Sequence, residues 1–315
     1  MTNVDDIATN GTADPLYSGP MGYLEMLRPK QWIKNGLVFL PVVFAINQVW
    51  SLSNPEPIQG LLLRLGLLFL AFCLVSSSVY LCNDLLDRKA DRLHPSKRHR
   101  VIASGRVAVP ISIVLMTILC LGGVSVMFYL DWLLGGIGIL YVGINVAYSL
   151  GAKKVVLVDI MMVASGYVIR AGAGAVAVGV APSPWLYIVT AAGAMFIVLG
   201  RRYAEVRLAG SEAMQQRPVL RSYAEPFIGQ LLGISATAAL VSYTLYSVEA
   251  KNLPDNQTML LTVPFVVFGL FRYLYLLNTS QEAEYPERLL TRDAPFLITV
   301  LGWIVTTILV LVLSS

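Results

Sequence analysis

The run Asn83-Asp84-Leu85-Leu86-Asp87-Arg88-Lys89-Ala90-Asp91 holds the residues best spaced for chemistry, and it begins where a long apolar stretch, 61–81, ends. In a helix, Asp84, Asp87 and Asp91 fall at i, i+3 and i+7, and Asn83, Asp87 and Asp91 at i, i+4 and i+8, so all four project from one face. Like charges stacked in this way repel, and at the edge of a bilayer water screens them poorly, so cations must join them. Oxygen ligands with no nearby thiol or imidazole suit a hard divalent ion, with magnesium carrying a phosphorylated substrate as the best match. The competing reading is a hydrated helix end whose acids pair with Arg88, Lys89 and Arg92. Such pairing is worth little, whereas acids this close to an apolar span are costly unless functional, which favours the metal.

Three further clusters bear charge. The stretch 92–106 contains Lys97, Arg98 and Arg100; the arginine guanidinium groups could grip diphosphate oxygens bidentately, and all three cations also hold the loop inside the cell. His94 and His99 read as loop residues rather than ligands. A second cluster, Tyr148-Ser149-Leu150-Gly151-Ala152-Lys153-Lys154, precedes Asp159 and Arg170, which are eleven residues (about three turns) apart and share a face. An arginine inside an apolar helix should point into the bundle and meet an anion. That anion is either a substrate phosphate or a carboxylate such as Asp159. The third cluster, Gly200-Arg201-Arg202-Tyr203-Ala204-Glu205, ends the sixth apolar stretch; its arginines could hold phosphate and Glu205 a metal or hydroxyl, or the group could be a stop-transfer signal alone. Gly172, Gly174 and Gly179 make no nucleotide loop, since no strand precedes them and no Gly-Lys-Ser/Thr follows. Small residues in a membrane helix serve close packing instead.

The elements that position these groups are apolar helices. With 315 residues, 56% hydrophobic and 13% charged, and a mean hydropathy of +0.68, the chain is a polytopic membrane protein, and a soluble domain is excluded. Cys73, Cys82 and Cys120 lie in or at the end of apolar runs and imply neither a disulfide frame nor a zinc site. Residues 1–22 are expected to be a disordered cytoplasmic tail and 23–315 one membrane domain. The segment 23–35, with Lys34 near its end, reads as a short helix lying on the bilayer. Nine spans are expected, at about 36–50, 61–81, 109–130, 132–150, 155–180, 185–199, 227–248, 259–277 and 296–313. The connections 88–106, 153–154, 201–221 and 272–292 are basic, whereas the alternate ones contain only Lys251, which places the N-terminus and the acid motif in the cytosol and the C-terminus outside. Long basic loops after the second and sixth spans suggest two similar halves.

The acid motif, the Tyr148-to-Lys154 turn and the GRRYAE cluster (200–205) together resemble the UbiA-type superfamily of intramembrane prenyltransferases, over nearly everything after Tyr23. The resemblance implies an all-α, nine-helix bundle with cytoplasmic cap loops and a lipid-open cavity, in which the N-D-x-x-D-x-x-x-D motif of Asn83, Asp84, Asp87 and Asp91 holds Mg2+. Aromatic prenyltransferases of the superfamily usually carry a second aspartate-rich motif after helix six, where this chain has Arg201, Arg202, Tyr203 and Glu205. RPKQWIKN (28–35), HPSKR (94–98), IASG (102–105), GYVIRAGAG (166–174) and GRRYAE are similar instead to the decaprenyl-phosphate phosphoribosyltransferase branch, with Val101 where related sequences tend to have proline.

That branch implies transfer of 5-phosphoribosyl from phosphoribosyl pyrophosphate to a polyprenyl (decaprenyl) phosphate, supplying lipid-linked pentose for arabinan in a bacterial cell wall. The implied catalytic residues are Asp84, Asp87 and Glu205, with the metal on Asp84, Asp87 and Asp91. The implied substrate-binding residues are Lys34, Asn83, Lys97, Arg100, Tyr148, Lys153, Arg170, Arg201, Arg202 and Tyr203. One alternative is a prenyltransferase that takes a prenyl diphosphate donor and an aromatic or other small acceptor. Another is a non-enzymatic transporter, against which stands the gathering of acids at one surface. The expected location is the plasma (inner) membrane; no nucleic-acid partner is expected, and assembly into a homo-oligomer is left open.

Overall fold

The acid motif rides on the longest helix, α3 (Glu56–Leu93), whose 38 residues extend about 57 Å, well beyond a hydrocarbon layer of about 30 Å. Its last turns therefore carry Asn83 to Asp91 clear of the apolar zone. The computed structural model describes residues 20–313 except 47, 52–53, 95–96, 182–183, 217–218, 220–221, 251–252, 254–255, 281–288 and 290–291. Before α3 come α1 (Pro20–Leu27), a 3-10 helix (Pro29–Phe39) and the short α2 (Leu40–Phe44). After it follow α4 (Val109–Leu130), α5 (Trp132–Leu150), α6 (Val158–Val178), α7 (Pro184–Gln216), α8 (Glu225–Glu249), α9 (Val263–Thr279, led in by a 3-10 turn) and α10 (Ala294–Leu313). Proline in the first turn of α3, α4, α8 and α9 presets φ where no N–H partner is lost. Asp131 starts α5 by accepting the Leu133 N–H at 2.8 Å.

Among the described residues, seven helices are long and apolar enough to cross a membrane, and α7, at 33 residues, is an eighth long helix. The first of the nine expected spans, 36–50, is not a continuous helix. Gly36 and Pro41 interrupt it and Pro29 opens the 3-10 helix that leads into it, so the chain runs as a 3-10 helix to Phe39, makes barely more than one α turn and leaves the helix at Ala45. The interfacial helix expected over 23–35 is likewise split at Arg28, which precedes Pro29 and adopts φ 53°, ψ 56°, because proline disfavours the right-handed helical region for the residue before it. Residues 1–19 of the expected tail lie outside the described residues, while Pro20–Gly22 already belong to α1. Helix α7 runs eleven residues past Glu205, so the GRRYAE cluster sits within a helix rather than at its end.

Of four buried apolar clusters among the described residues, the two largest divide the bundle, with α6 serving both. Leu65, Leu68, Phe72, Met127, Leu134 and Tyr141 pack with Ala173 and Ala177 of α6. Phe196, Leu199, Tyr223, Ile228, Leu232 and Tyr273 pack with its Ile160. Gly174 lies so close to the 3-10 helix that a Cβ there would collide with the Val38 carbonyl, which is the close packing expected of this glycine run. Outward faces of α4, α5 and α10 expose Ile118, Leu121, Ile139, Leu140, Ile304 and Val305, as lipid-facing surfaces do.

The described residues of the four basic connections meet at one end of the bundle. Lys153 before α6 reaches Asp87 on α3, the Leu157 N–H donates to the Tyr223 hydroxyl after α7, and Arg207 of α7 donates to the Leu277 carbonyl of α9. At the opposite end Arg64 pairs with Asp131 at 3.6 Å, beside the exposed Tyr129 and Trp132 of an interfacial aromatic rim.

Candidate active site

Helix α3 continues through the acid motif, and each of its three carboxylates meets a cation from elsewhere in the chain. Asp84, 8% exposed, accepts two bonds from Arg28 Nη2 (2.6 and 2.7 Å) and one from Arg100 Nη1 (2.9 Å). Arg100 Nη1 also donates to Asp91 Oδ2 at 2.8 Å. Lys153 Nζ donates to both oxygens of Asp87 (2.6 and 2.8 Å) and approaches Asn83 Oδ1 at 3.5 Å. The neighbours Arg88 and Lys89 make no ion pair with the acids among the described residues, and Arg92 turns to the Ala103 carbonyl at 3.0 Å. They lie on the same helix as the acids but face elsewhere.

Local chemistry explains how the cations arrive. The loop after α3 buries Val101, Ile102 and Val107 against Met26, Leu81 and Leu119, and Gly105 supplies the positive φ (79°) of its turn. Arg106 then clamps the loop to α1 through Glu25 (2.9 and 3.1 Å) and to the His99 carbonyl (2.8 Å). His94 Nδ1 accepts the Lys97 N–H at 3.2 Å, a loop-shaping role as expected. Arg28 is placed from the other side, where Ser77 donates to the Leu27 carbonyl (2.8 Å) and receives the Trp32 indole N–H (3.1 Å). The Arg28 guanidinium lies 5.1 Å from the centre of the Tyr80 ring. Lys34 is half-buried on the same 3-10 helix.

The GRRYAE cluster organises around Asp159, which is fully buried at the start of α6. Its oxygens accept from Arg202 Nε (3.2 Å) and from the Tyr223 hydroxyl (2.6 Å), and Arg202 Nη1 donates to Glu205 at 2.6 Å. Burial and the adjoining Asp159 carboxylate push the Tyr223 hydroxyl pKa upward, so it stays protonated and donating. Tyr148 lies within electrostatic reach of Arg202, which brings the second and third clusters together. Arg201 is more open, 3.8 Å from Glu205. Tyr203 points away and donates to Asn278 at 2.9 Å.

Arg170 does not pair with Asp159, the carboxylate considered for it. Its donors reach Asn35 Oδ1 (2.7 Å), the Gly166 carbonyl (2.6 Å) and the Tyr141 hydroxyl (2.7 Å), with the Tyr141 and Phe72 rings at 4.8 and 5.7 Å. The Asp159 partnership is replaced by Arg202. Phe72 precedes Asp84 by twelve residues on α3, so Arg170 lies about 18 Å deeper in the bundle than the acids. It is the tie that holds the broken first segment, through the fully buried Asn35, to α5 and α6. Arg28, Asn35, Tyr141 and Tyr223 have roles here that sequence spacing did not signal; Arg28 and Asn35, the first and last residues of RPKQWIKN, stood in a motif already singled out.

A hard divalent ion fits these donors in one mode. Among the described residues no three His, Cys, Asp or Glu side chains converge as a preformed cage. Asp84 and Asp87, one turn apart with Asn83 beside them, offer the one or two carboxylates by which magnesium is ordinarily held when substrate phosphates and water complete its shell.

Residues 38–292 match the UbiA prenyltransferase family, and the chain belongs to that family. Within it the protein is a membrane-embedded transferase. A decaprenyl-phosphate phosphoribosyltransferase of Mycolicibacterium smegmatis is 32% identical over 304 residues, 94% of each chain. A Corynebacterium glutamicum protein of the same name is 29% identical over 90% of this chain and 84% of its own. These matches set the transporter alternative aside. A UbiA homolog from Archaeoglobus fulgidus bound to GPP and Mg2+ has the same fold, with a TM-score of 0.69 over 92% of this chain and 99% of its own at 16% identity.

Proposed function

We propose that the protein transfers 5-phosphoribosyl from phosphoribosyl pyrophosphate to a polyprenyl phosphate, releasing pyrophosphate and supplying lipid-linked pentose for cell-wall arabinan. The observation that carries the reading is the unlike make-up of the two charged clusters. One presents carboxylates and cations suited to a single metal–diphosphate unit, and the other, where a second acidic motif would serve a prenyl diphosphate, presents arginines around Asp159. The names of the relatives from Mycolicibacterium and Corynebacterium support the same transferred group and the same class of acceptor.

Asp84 and Asp87, with Asp91 behind them, are the residues that would hold magnesium, whose charge supports departure of the diphosphate. Arg100 and Lys153 stand where they can bind diphosphate oxygens, and Lys97 and Arg201 border the same end for the ribose 5-phosphate. The lipid phosphate is already an anion, so attack on the anomeric carbon needs no strong protein base, and catalysis is mainly positioning and charge stabilisation of an oxocarbenium-like state. Glu205, held by Arg202, is reserved for a ribose hydroxyl. The basic end faces the cytosol of the plasma membrane by the positive-inside rule, where a soluble anionic donor is available.

The test is turnover by the purified protein with labelled phosphoribosyl pyrophosphate and polyprenyl phosphate, run beside a prenyl diphosphate with an aromatic acceptor. Labelled lipid from the first pair alone is the expected result. Product from the second pair alone would overturn the reading in favour of an aromatic prenyltransferase.

A further inference from the structure

We propose that Arg28 is a donor-binding residue that exchanges partners, occupying Asp84 while the site is empty and moving to the diphosphate when it loads, so that metal enters with the diphosphate rather than before it. The inference rests on the diphosphate part of the proposed function and is indifferent to what the diphosphate is attached to.

Three features carry it. First, the carboxylates of Asp84, Asp87 and Asp91 are matched by Arg28, Arg100 and Lys153, three charges against three, and Asp84 takes cations from both arginines. A divalent ion added alone would leave this partly buried group with a surplus of two positive charges and displaced cations with no anion to receive them. A diphosphate arriving with the metal supplies that anion. Second, Arg28 Nη2 bridges both oxygens of Asp84 (2.6 and 2.7 Å) while Arg100 also takes Oδ1, so a metal that binds this carboxylate competes directly with Arg28. Third, Arg28 can move without unfolding its surroundings. Its side chain is 27% exposed against 10% for Asp84, and the flanking backbone is pinned by the Ser77–Leu27 bond and by Arg106 on Glu25. The Tyr80 ring offers its guanidinium a surface during the shift. The left-handed backbone at φ 53° aims the side chain at α3, which a right-handed continuation of α1 would not do.

The test uses full-length protein in detergent and two probes, Mn2+ alone and Mn2+ with inorganic pyrophosphate, with bound Mn2+ read by electron paramagnetic resonance. Arg28→Gly removes the side chain at a backbone conformation that glycine adopts freely. It should bind Mn2+ alone about tenfold more tightly, because the fraction of Asp84 open to metal rises. The same variant should bind Mn2+–pyrophosphate about tenfold more weakly, through loss of a charge-assisted contact. Arg28→Lys, which keeps the charge but is shorter and lacks the planar guanidinium that diphosphate oxygens can engage at two nitrogens, should fall between wild type and Arg28→Gly in both measurements. Affinities that move in the same direction, or Mn2+ binding unchanged by either substitution, would overturn the proposal. Wild-type protein that binds Mn2+–pyrophosphate but does not turn over phosphoribosyl pyrophosphate would instead refute the donor assignment and leave this inference standing.

Discussion

The two charged clusters at the basic end of the bundle use the same residue types to opposite purposes. Around α3, acids and cations come from three separate segments, and Arg28, Arg100 and Lys153 keep 19–29% of their side chains exposed. Around Asp159, the carboxylate is fully buried and its arginine 5% exposed, with Glu205 and Tyr223 filling the remaining hydrogen-bonding capacity. Pairs whose cations keep contact with water exchange partners more readily, whereas a buried, saturated network is rigid and expensive to break. The first is built to trade partners with a ligand and the second to hold α6, α7 and the chain after α7 in one arrangement.

The comparison breaks first if Asp159 proves dispensable. Asp159→Ala should destabilise the protein by about 3–5 kcal/mol, since it leaves Arg202 and the Tyr223 hydroxyl buried without their shared partner. Thermal unfolding in detergent would measure it, and a near-normal melting temperature would remove the distinction between the clusters. Asp87→Asn probes the other side. It should leave unfolding nearly unchanged, because Lys153 can turn to water, yet lower transfer by roughly 10²–10³-fold at saturating substrate. A variant that unfolds early and works normally when folded would exchange the roles assigned to the two clusters.

Tyr223→Phe sharpens the contrast with a smaller change. It removes the bond to Asp159 and the acceptor for the Leu157 N–H, at a cost of about 1–3 kcal/mol. Leu157 has a positive φ of 68° just before α6, and the same connection carries Lys153 to Asp87, so the donor KM should rise more than kcat falls. The pH profile carries a sign of its own. The Tyr223 pKa is raised in the folded state, so its contribution is complete below the unfolded value of about 10 and is lost as pH rises above it. The Phe variant should lack that alkaline loss.

Much of the fold was legible because hydropathy acts locally. A run of apolar residues must satisfy its backbone within the bilayer as helix, and α3, α4, α5, α6 and α8 to α10 follow the runs closely. The exceptions have local causes that hydropathy averaging hides. Gly36 and Pro41 break the first run, and no continuous apolar run marks the continuation of α7 past Glu205, where the sequence is VRLAGSEAMQQ.

The acid motif, its helical face and its place at the end of an apolar span were determined by sequence alone, since period and polarity are properties of a single segment. Which cation meets which acid was decided only by tertiary structure. With 23 Lys and Arg against 19 Asp and Glu, charge complementarity admits many pairings, and spacing along one helix ranks only the nearest. The fold chose partners 56, 16 and 66 residues distant for Asp84 and Asp87. It also gave Asp159 to Arg202 instead of Arg170, whose shared helical face sets a direction but not a neighbour. Ion pairs are selected by which loops the packed helices bring to one end, and that selection is written in the packing of whole helices rather than in any one stretch of chain.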